Sequence, residues 1–403
     1  VTRQLTISPW LLGTLALPLA LATSLGTACN GTSDLENKTF EATSSTTSSA
    51  GGAGGAGGAA GTGGDGGAPS PCGECDGTCV QGHCCRTGSG FLVNASPGGT
   101  EALKATFAQL DGKGPLEAVF INQLGEDVRT YTLDADGPKA TLLQALETGR
   151  GPTTPSVGDV DGDGNVDLVV TMGETIQLEA IDEIRIYKGK GGGLFDGTPS
   201  VFPQSGKPMD SILPDLDGDG DLDLVFGTVD CKFGVRWNDG KGTFGERVCL
   251  EDAGGHSIAV VHGGHGKKDA VLRQDEFSLF IVSWLDGTKV KVTRVDTGTE
   301  TVAGGGVADI DGDGDDDILV LTKSTSTHPD VVFTYLRTNE TDVAQCDTYP
   351  TPPGLSTLAA ARLGDFDGDR IPDWLAMDRF NEDKPADSPD YFRSVNYLMR
   401  GVK

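Results

Sequence analysis

Residues 159–170 read DVDGDGNVDLVV, and their spacing decides the fold. Aspartate stands at positions 1, 3, 5 and 9, glycine at 4 and 6, and an apolar run follows. The same grammar returns as DLDGDGDLDLVF from Asp215, DIDGDGDDDILV from Asp309 and DFDGDRIPDWLA from Asp365. A hard divalent cation such as Ca2+ takes six to eight oxygens at about 2.3–2.6 Å. Alternate residues of a tight loop turn their carboxylates to one side, position 7 adds a backbone carbonyl, and position 9 adds a further carboxylate. Glycine at position 6 permits the positive φ of a sharp turn. Without a cation the acids repel, by about 4 kcal/mol for two charges 4 Å apart at an effective dielectric of 20.

The sequence therefore predicts three calcium sites and a weakened fourth. The first is Asp159, Asp161, Asp163, Asn165 and Asp167. The second is Asp215, Asp217, Asp219, Asp221 and Asp223. The third is Asp309, Asp311, Asp313, Asp315 and Asp317. The fourth is Asp365, Asp367, Asp369, Ile371 and Asp373. In the fourth, Arg370 takes the glycine position, where a left-handed non-glycine residue costs about 1–2 kcal/mol.

These are not EF-hand loops, which need Glu at position 12 and flanking helices. Position 12 here is Val170, Phe226, Val320 and Ala376. Runs such as Leu168-Val169-Val170 and Ile318-Leu319-Val320 are short and mostly β-branched, and read as buried strands. Two further segments are decayed copies, QLDGKGPLEAVF from Gln109 and VHGGHGKKDAVL from Val261. Repeats thus begin at 109, 159, 215, 261, 309 and 365, about 50 residues apart, the length of one four-stranded propeller blade.

The loops resemble the FG-GAP repeat family (integrin α-like, also called VCBS). The stretch Val235-Arg-Trp-Asn-Asp-Gly-Lys-Gly-Thr-Phe244 is similar to that family's strand, tight turn and GxF step, and Ile186-Tyr187-Lys188 with Gly193-Leu194-Phe195 is a looser copy. The resemblance covers about residues 100–403. It implies an all-β propeller in which each calcium loop joins the first two strands of a blade and stiffens the rim. Function is left open by it, since one fold hosts many roles. Six blades are expected, with seven as the alternative. The last blade would use strands near Trp374–Met377 and Tyr391–Met399, closed by Phe91–Asn94.

The organisation before the propeller (90–403) is equally legible. Residues 1–28 read as a lipoprotein-type signal peptide, with Arg3, an apolar run from Leu11 to Leu25 and small residues before Cys29. Cys29 is the expected lipidation site, although Gly26 holds the place where such signals carry Leu. Ordinary cleavage near Ala28, releasing a soluble protein, is the alternative. Residues 29–71 are a Ser/Thr-rich and then Gly/Ala-rich linker with a reach on the order of 35 Å. Residues 72–86 are cysteine-rich. Among the eight remaining cysteines, Cys231 and Cys249 flank one predicted hairpin and form the best single pair. Cys72, Cys75, Cys79, Cys84 and Cys85 need one outside partner, and Cys346 is the candidate left. CxxC spacing of Cys72 and Cys75 also suggests zinc, but no second CxxC follows.

The formal net charge of −28 over 403 residues repels phosphate backbones, so nucleic acid is excluded as a partner. His256, His262 and His265 fall on the decayed fourth repeat and read as a lost calcium loop rather than a zinc site. Trp237, Trp284 and Trp374 read as strand residues that pack the core. No GxSxG, HExxH or P-loop pattern occurs. The expectation is a non-enzymatic binding or adhesion module at the bacterial surface with a protein or glycan ligand. A lectin is the first alternative, and a polysaccharide lyase or hydrolase the second.

Overall fold

The computed structural model describes residues 72, 75, 78–88, 90–100, 102–114, 116–123, 125–133, 140–173, 181–251, 255–264, 267–275, 278–295, 302–322, 331–338, 342–350, 359–378 and 393–402. The signal segment, Cys29, the 29–71 linker and His265 lie outside them. Among the described residues there is no helix, and hence none long and apolar enough to cross a membrane.

A hairpin of β1 (Thr78–Val80) and β2 (His83–Cys85) leads into β3 (Gly90–Thr100). The first sheet follows: β4 (Ala102–Ala108), β5 (Glu117–Asn122), β6 (Asp127–Leu133) and β7 (Ala140–Glu147). The second holds β8 (Pro152–Gly158), β9 (Asp167–Met172), β10 (Glu183–Tyr187) and β11 (Ser200–Pro203). The third holds β12 (Met209–Ile212), β13 (Leu224–Gly227), β14 (Gly234–Arg236) and β15 (Val248–Cys249). The fourth holds β16 (His256–Val261), β17 (Ala270–Gln274), β18 (Leu279–Asp286) and β19 (Lys289–Val295). Then come β20 (Val302–Ala308), β21 (Asp317–Thr322), β22 (Val331–Arg337), β23 (Val343–Pro350), β24 (Ala359–Gly364), β25 (Asp373–Asp378) and β26 (Arg393–Val402).

Each of the first four sheets is a simple antiparallel meander. The last is eight strands wide, in the order β23-β22-β21-β20-β24-β25-β26-β3. This corrects the expectation of six blades, with seven as the alternative: among the described residues the ring is built from five sheets, the last of double width. The two halves join at a single parallel pair, Gly306 with Leu363. Gly306 makes the join possible: a Cβ there would stand 2.0 Å from the Leu363 carbonyl oxygen. Without a side chain between them, the two inner strands come close enough to pair.

The first strands pack in a closed circuit. β4 meets β8, β8 meets β12, β12 meets β16, β16 meets β20, β20 meets β24, and β24 returns to β4. Apolar layers fill the gaps between consecutive four-stranded units. Ile184, Leu224 and Phe226 lie between the second and third units, and Leu319, Leu336 and Trp374 between the halves of the wide sheet. Burying side chains of this size from water contributes about 1.5–3 kcal/mol each. The architecture is a β-propeller of small antiparallel sheets. At the seam, β3 pairs antiparallel with β26, Val93 opposite Met399. Phe107 stacks on Phe366 at 3.8 Å, and the Leu116 N–H donates to the Phe366 carbonyl at 3.0 Å.

The disulfides are Cys231–Cys249, Cys72–Cys79, Cys75–Cys84 and Cys85–Cys346. The last fastens the hairpin to β23. Around it, buried Asp347 accepts the Arg86 N–H at 2.6 Å and meets His83 Nε2 at 3.2 Å. The Thr348 N–H donates to the Arg86 carbonyl at 3.0 Å, and the Gly88 N–H to the Thr348 carbonyl at 2.9 Å. The segment thereby covers the exposed edge of β23.

Candidate functional site

All four acidic loops join the first to the second strand of a four-stranded unit, and all four share one hydrogen-bond scheme. The position 1 carboxylate accepts the position 4 N–H at 2.8 Å in the loops from Asp159, Asp215 and Asp365, and at 2.7 Å in the loop from Asp309. It also accepts the position 6 N–H, as in Gly164 to Asp159 at 2.9 Å. Position 5 accepts from position 7, as in Asn165 to Asp163 at 2.8 Å. The chain is wound around its own acids, which leaves their remaining lone pairs facing one another.

Position 9 differs from the rest. Asp167, Asp223, Asp317 and Asp373 are buried. One oxygen accepts the position 2 N–H, from Val160, Leu216, Ile310 or Phe366. The other accepts an N–H near or within the third strand of the same unit, from Gly189, Asn238, Arg337 or Gly401. Position 9 is thus a bracket between loop and sheet, and in the loops from Asp159, Asp309 and Asp365 it also joins the converging acidic set. Burial, aided by the neighbouring loop aspartates, pushes Asp223, Asp317 and Asp373 up to about 7 and also raises Asp167.

Ligand oxygens converge within 4.8 Å of one another in each loop. The sets are Asp159, Asp161 and Asp167; Asp215, Asp217 and Asp219; Asp309, Asp311 and Asp317; and Asp365, Asp367 and Asp373. A donor set made only of carboxylate oxygen fits a hard divalent cation. Two predicted ligands also carry ion pairs, Asp161 of the converging set among them. Asp315 pairs with Arg337 at 3.2 Å and with Lys267 at 3.4 Å, and Lys188 pairs with Asp161. Arg370 takes the left-handed φ of 64° that its position demands, and its guanidinium lies against Gly312 of the preceding acidic loop. His83, Cys346 and Asp347 also converge, but Cys346 is committed to a disulfide.

The decayed repeats keep the loop shape by other means. Gln109 Oε1 takes the place of an aspartate oxygen and accepts the Lys113 N–H at 2.9 Å. In the fourth unit His262 Nδ1 meets Asp269 at 3.2 Å, and the His262 N–H donates to Asp316 at 2.8 Å. The turn after β14 links neighbouring units, since Asn238 Nδ2 donates to the Val160 carbonyl at 2.8 Å. Trp374 is core as read from sequence, whereas Trp237 and Trp284 form a half-buried pair 5.0 Å apart with Lys268 over Trp284.

A second constellation escaped the sequence reading. Lys104, Thr154, Asp210 and His256 stand on β4, β8, β12 and β16. Lys104 Nζ pairs with Asp210 Oδ1 and donates to Thr154 Oγ1 at 3.1 Å. The Asp210 N–H donates to Thr154 Oγ1 at 3.2 Å, and Asp210 Oδ2 binds His256 Nδ1 at 2.6 Å. Asp210 is 7% exposed and has a left-handed φ of 55°. Burial works to raise its carboxyl, but Lys104 and His256 outweigh it and hold the group well below the usual range. A signal was available: each of the four stands five residues before the start of its repeat, at 104 and 109, 154 and 159, 210 and 215, 256 and 261.

No protein-family model matches the chain, and no curated protein matches it. Among solved structures, one described as a candidate gluconolactonase is similar at 12% identity and a TM-score of 0.42, covering 77% of this chain and 94% of its own. BBS1N in complex with ARL6DN is similar at 11% identity and a TM-score of 0.38, covering 75% and 92%. At these values neither neighbour informs function. The sheets and their circuit define the class, a β-propeller with acidic rim loops.

Proposed function

We propose that the chain is a calcium-stabilised β-propeller of the FG-GAP type, acting outside the cytoplasm as a binding or adhesion module rather than as an enzyme. The observation that carries the reading is the shared loop scheme, in which four separate sequences wind backbone N–H groups around converging carboxylates. Bound calcium supplies countercharge there. The chain's own residues supply the rest: position 9 fixes loop to sheet, and positions 1 and 3 aim their oxygens together with position 9 in three loops and with position 5 in the loop from Asp215. The expected anchor is lipidated Cys29, with the 29–71 linker as a spacer holding the propeller off the membrane.

The test is a melting curve with and without chelator. EDTA lowers Tm by several degrees and millimolar calcium restores it, because an ion that binds only the folded state adds stability. An unchanged curve removes the metal assignment. Detergent partitioning and mass spectrometry of the amino-terminal peptide check Cys29. A pull-down against envelope components checks adhesion.

A further inference from the structure

The polar cluster on the inner strands has the makings of a ligand site. Its four members come from four consecutive sheets at one level of the circuit, five residues before each loop. That places them about 16 Å along the strands from the acidic loops, toward the opposite rim. Lys104 reaches past the second sheet to an aspartate of the third, so the contact crosses the interior of the ring. The residues five before the loops of the last two units are Gly304 and Ala360.

Two features argue against a purely structural lock. His256 has a side chain 67% exposed, although its Nδ1 is held by a buried carboxylate. Asp210 also keeps a left-handed backbone, which costs about 1 kcal/mol and concentrates at functional positions. The hydrogen-bond inventory then defines the ligand. A neutral imidazole that donates Nδ1–H to Asp210 presents Nε2 as an acceptor. Lys104 spends two of its three N–H groups on Asp210 and Thr154 and, among the described residues, keeps one. The charges of Lys104 and Asp210 cancel, and the chain as a whole repels anions at −28. A cation gains little from a carboxylate already held by two partners.

We infer that Lys104, Thr154, Asp210 and His256 form a binding site for a neutral saccharide, one hydroxyl donating to His256 Nε2 and another accepting from Lys104 Nζ. The site rests on the reading of the propeller as a binding module, but not on metal in the rim loops.

The experiment follows the His256 ring by NMR in the calcium-loaded full chain while glucose, galactose, mannose or glucuronate is added at tens of millimolar. At least one neutral hexose shifts the ring signals saturably, and glucuronate binds more weakly. His256→Gln and Lys104→Met each weaken that hexose about tenfold, the loss of one hydrogen bond to a charged or oriented group. Melting curves verify that both variants fold, and the wild-type titration stands alone if one does not. Silence of the ring toward all three hexoses, or tighter binding of glucuronate, overturns the inference. If calcium still raises Tm in that case, only the sugar assignment falls.

Discussion

Asp223 accepts the backbone N–H of Asn238 at 3.0 Å while its other oxygen holds the N–H of Leu216 at 3.2 Å. One buried carboxylate therefore fastens an acidic loop to the segment following the third strand of its own sheet. Asp223→Ala leaves two N–H groups without their acceptor. The expected loss is about 2–4 kcal/mol in urea unfolding, against less for Asp223→Asn, which keeps one acceptor.

The same burial makes the chelated protein sensitive to pH. Asp223, Asp317 and Asp373 titrate near 7 in the folded chain and near 4 when unfolded. The folded state binds the proton more tightly. Its contribution is therefore fully present below about pH 4 and is lost as pH rises through about 7. In EDTA, Tm should be higher at pH 5 than at pH 8. Saturating calcium should flatten or reverse that slope, because the cation replaces the protons. Melting curves across pH in both buffers check the sign.

Gly306→Ala should separate the halves of the wide sheet. The added methyl meets the Leu363 carbonyl at 2.0 Å, so backbone has to move. A cost of about 1–3 kcal/mol is expected, read by chemical denaturation, with faster amide exchange along β24.

Arg370→Gly should act in the opposite direction. A glycine adopts the φ of 64° without strain, which contributes about 1 kcal/mol. Loss of the contact with Gly312 subtracts from that gain. Calorimetry with calcium should show a tighter fourth site than in the parent chain.

The period of the repeats made most of this fold legible. Asp at 1, 3, 5 and 9 located the loops, and the apolar runs behind them located the second strands. The Gly306 join was not legible, because a close approach of backbones leaves only a glycine among the many in this chain. Position 9 was read as a ligand; its second role depends on Gly189, Asn238, Arg337 and Gly401, which no local spacing connects to it. The inner-ring cluster was missed because its members share a place and not a residue type. His256 looked like a remnant until Asp210 was found beside it.

The Cys85–Cys346 bond has a mechanical consequence. The chain runs from this clasp directly into β3, the strand that completes the final meander against β26. Tension applied from the amino-terminal side would otherwise peel β3 away one ladder rung at a time. With the clasp in place, the load enters β23 through a covalent link and bypasses the zipper. A reductant therefore weakens the domain most when it is being pulled.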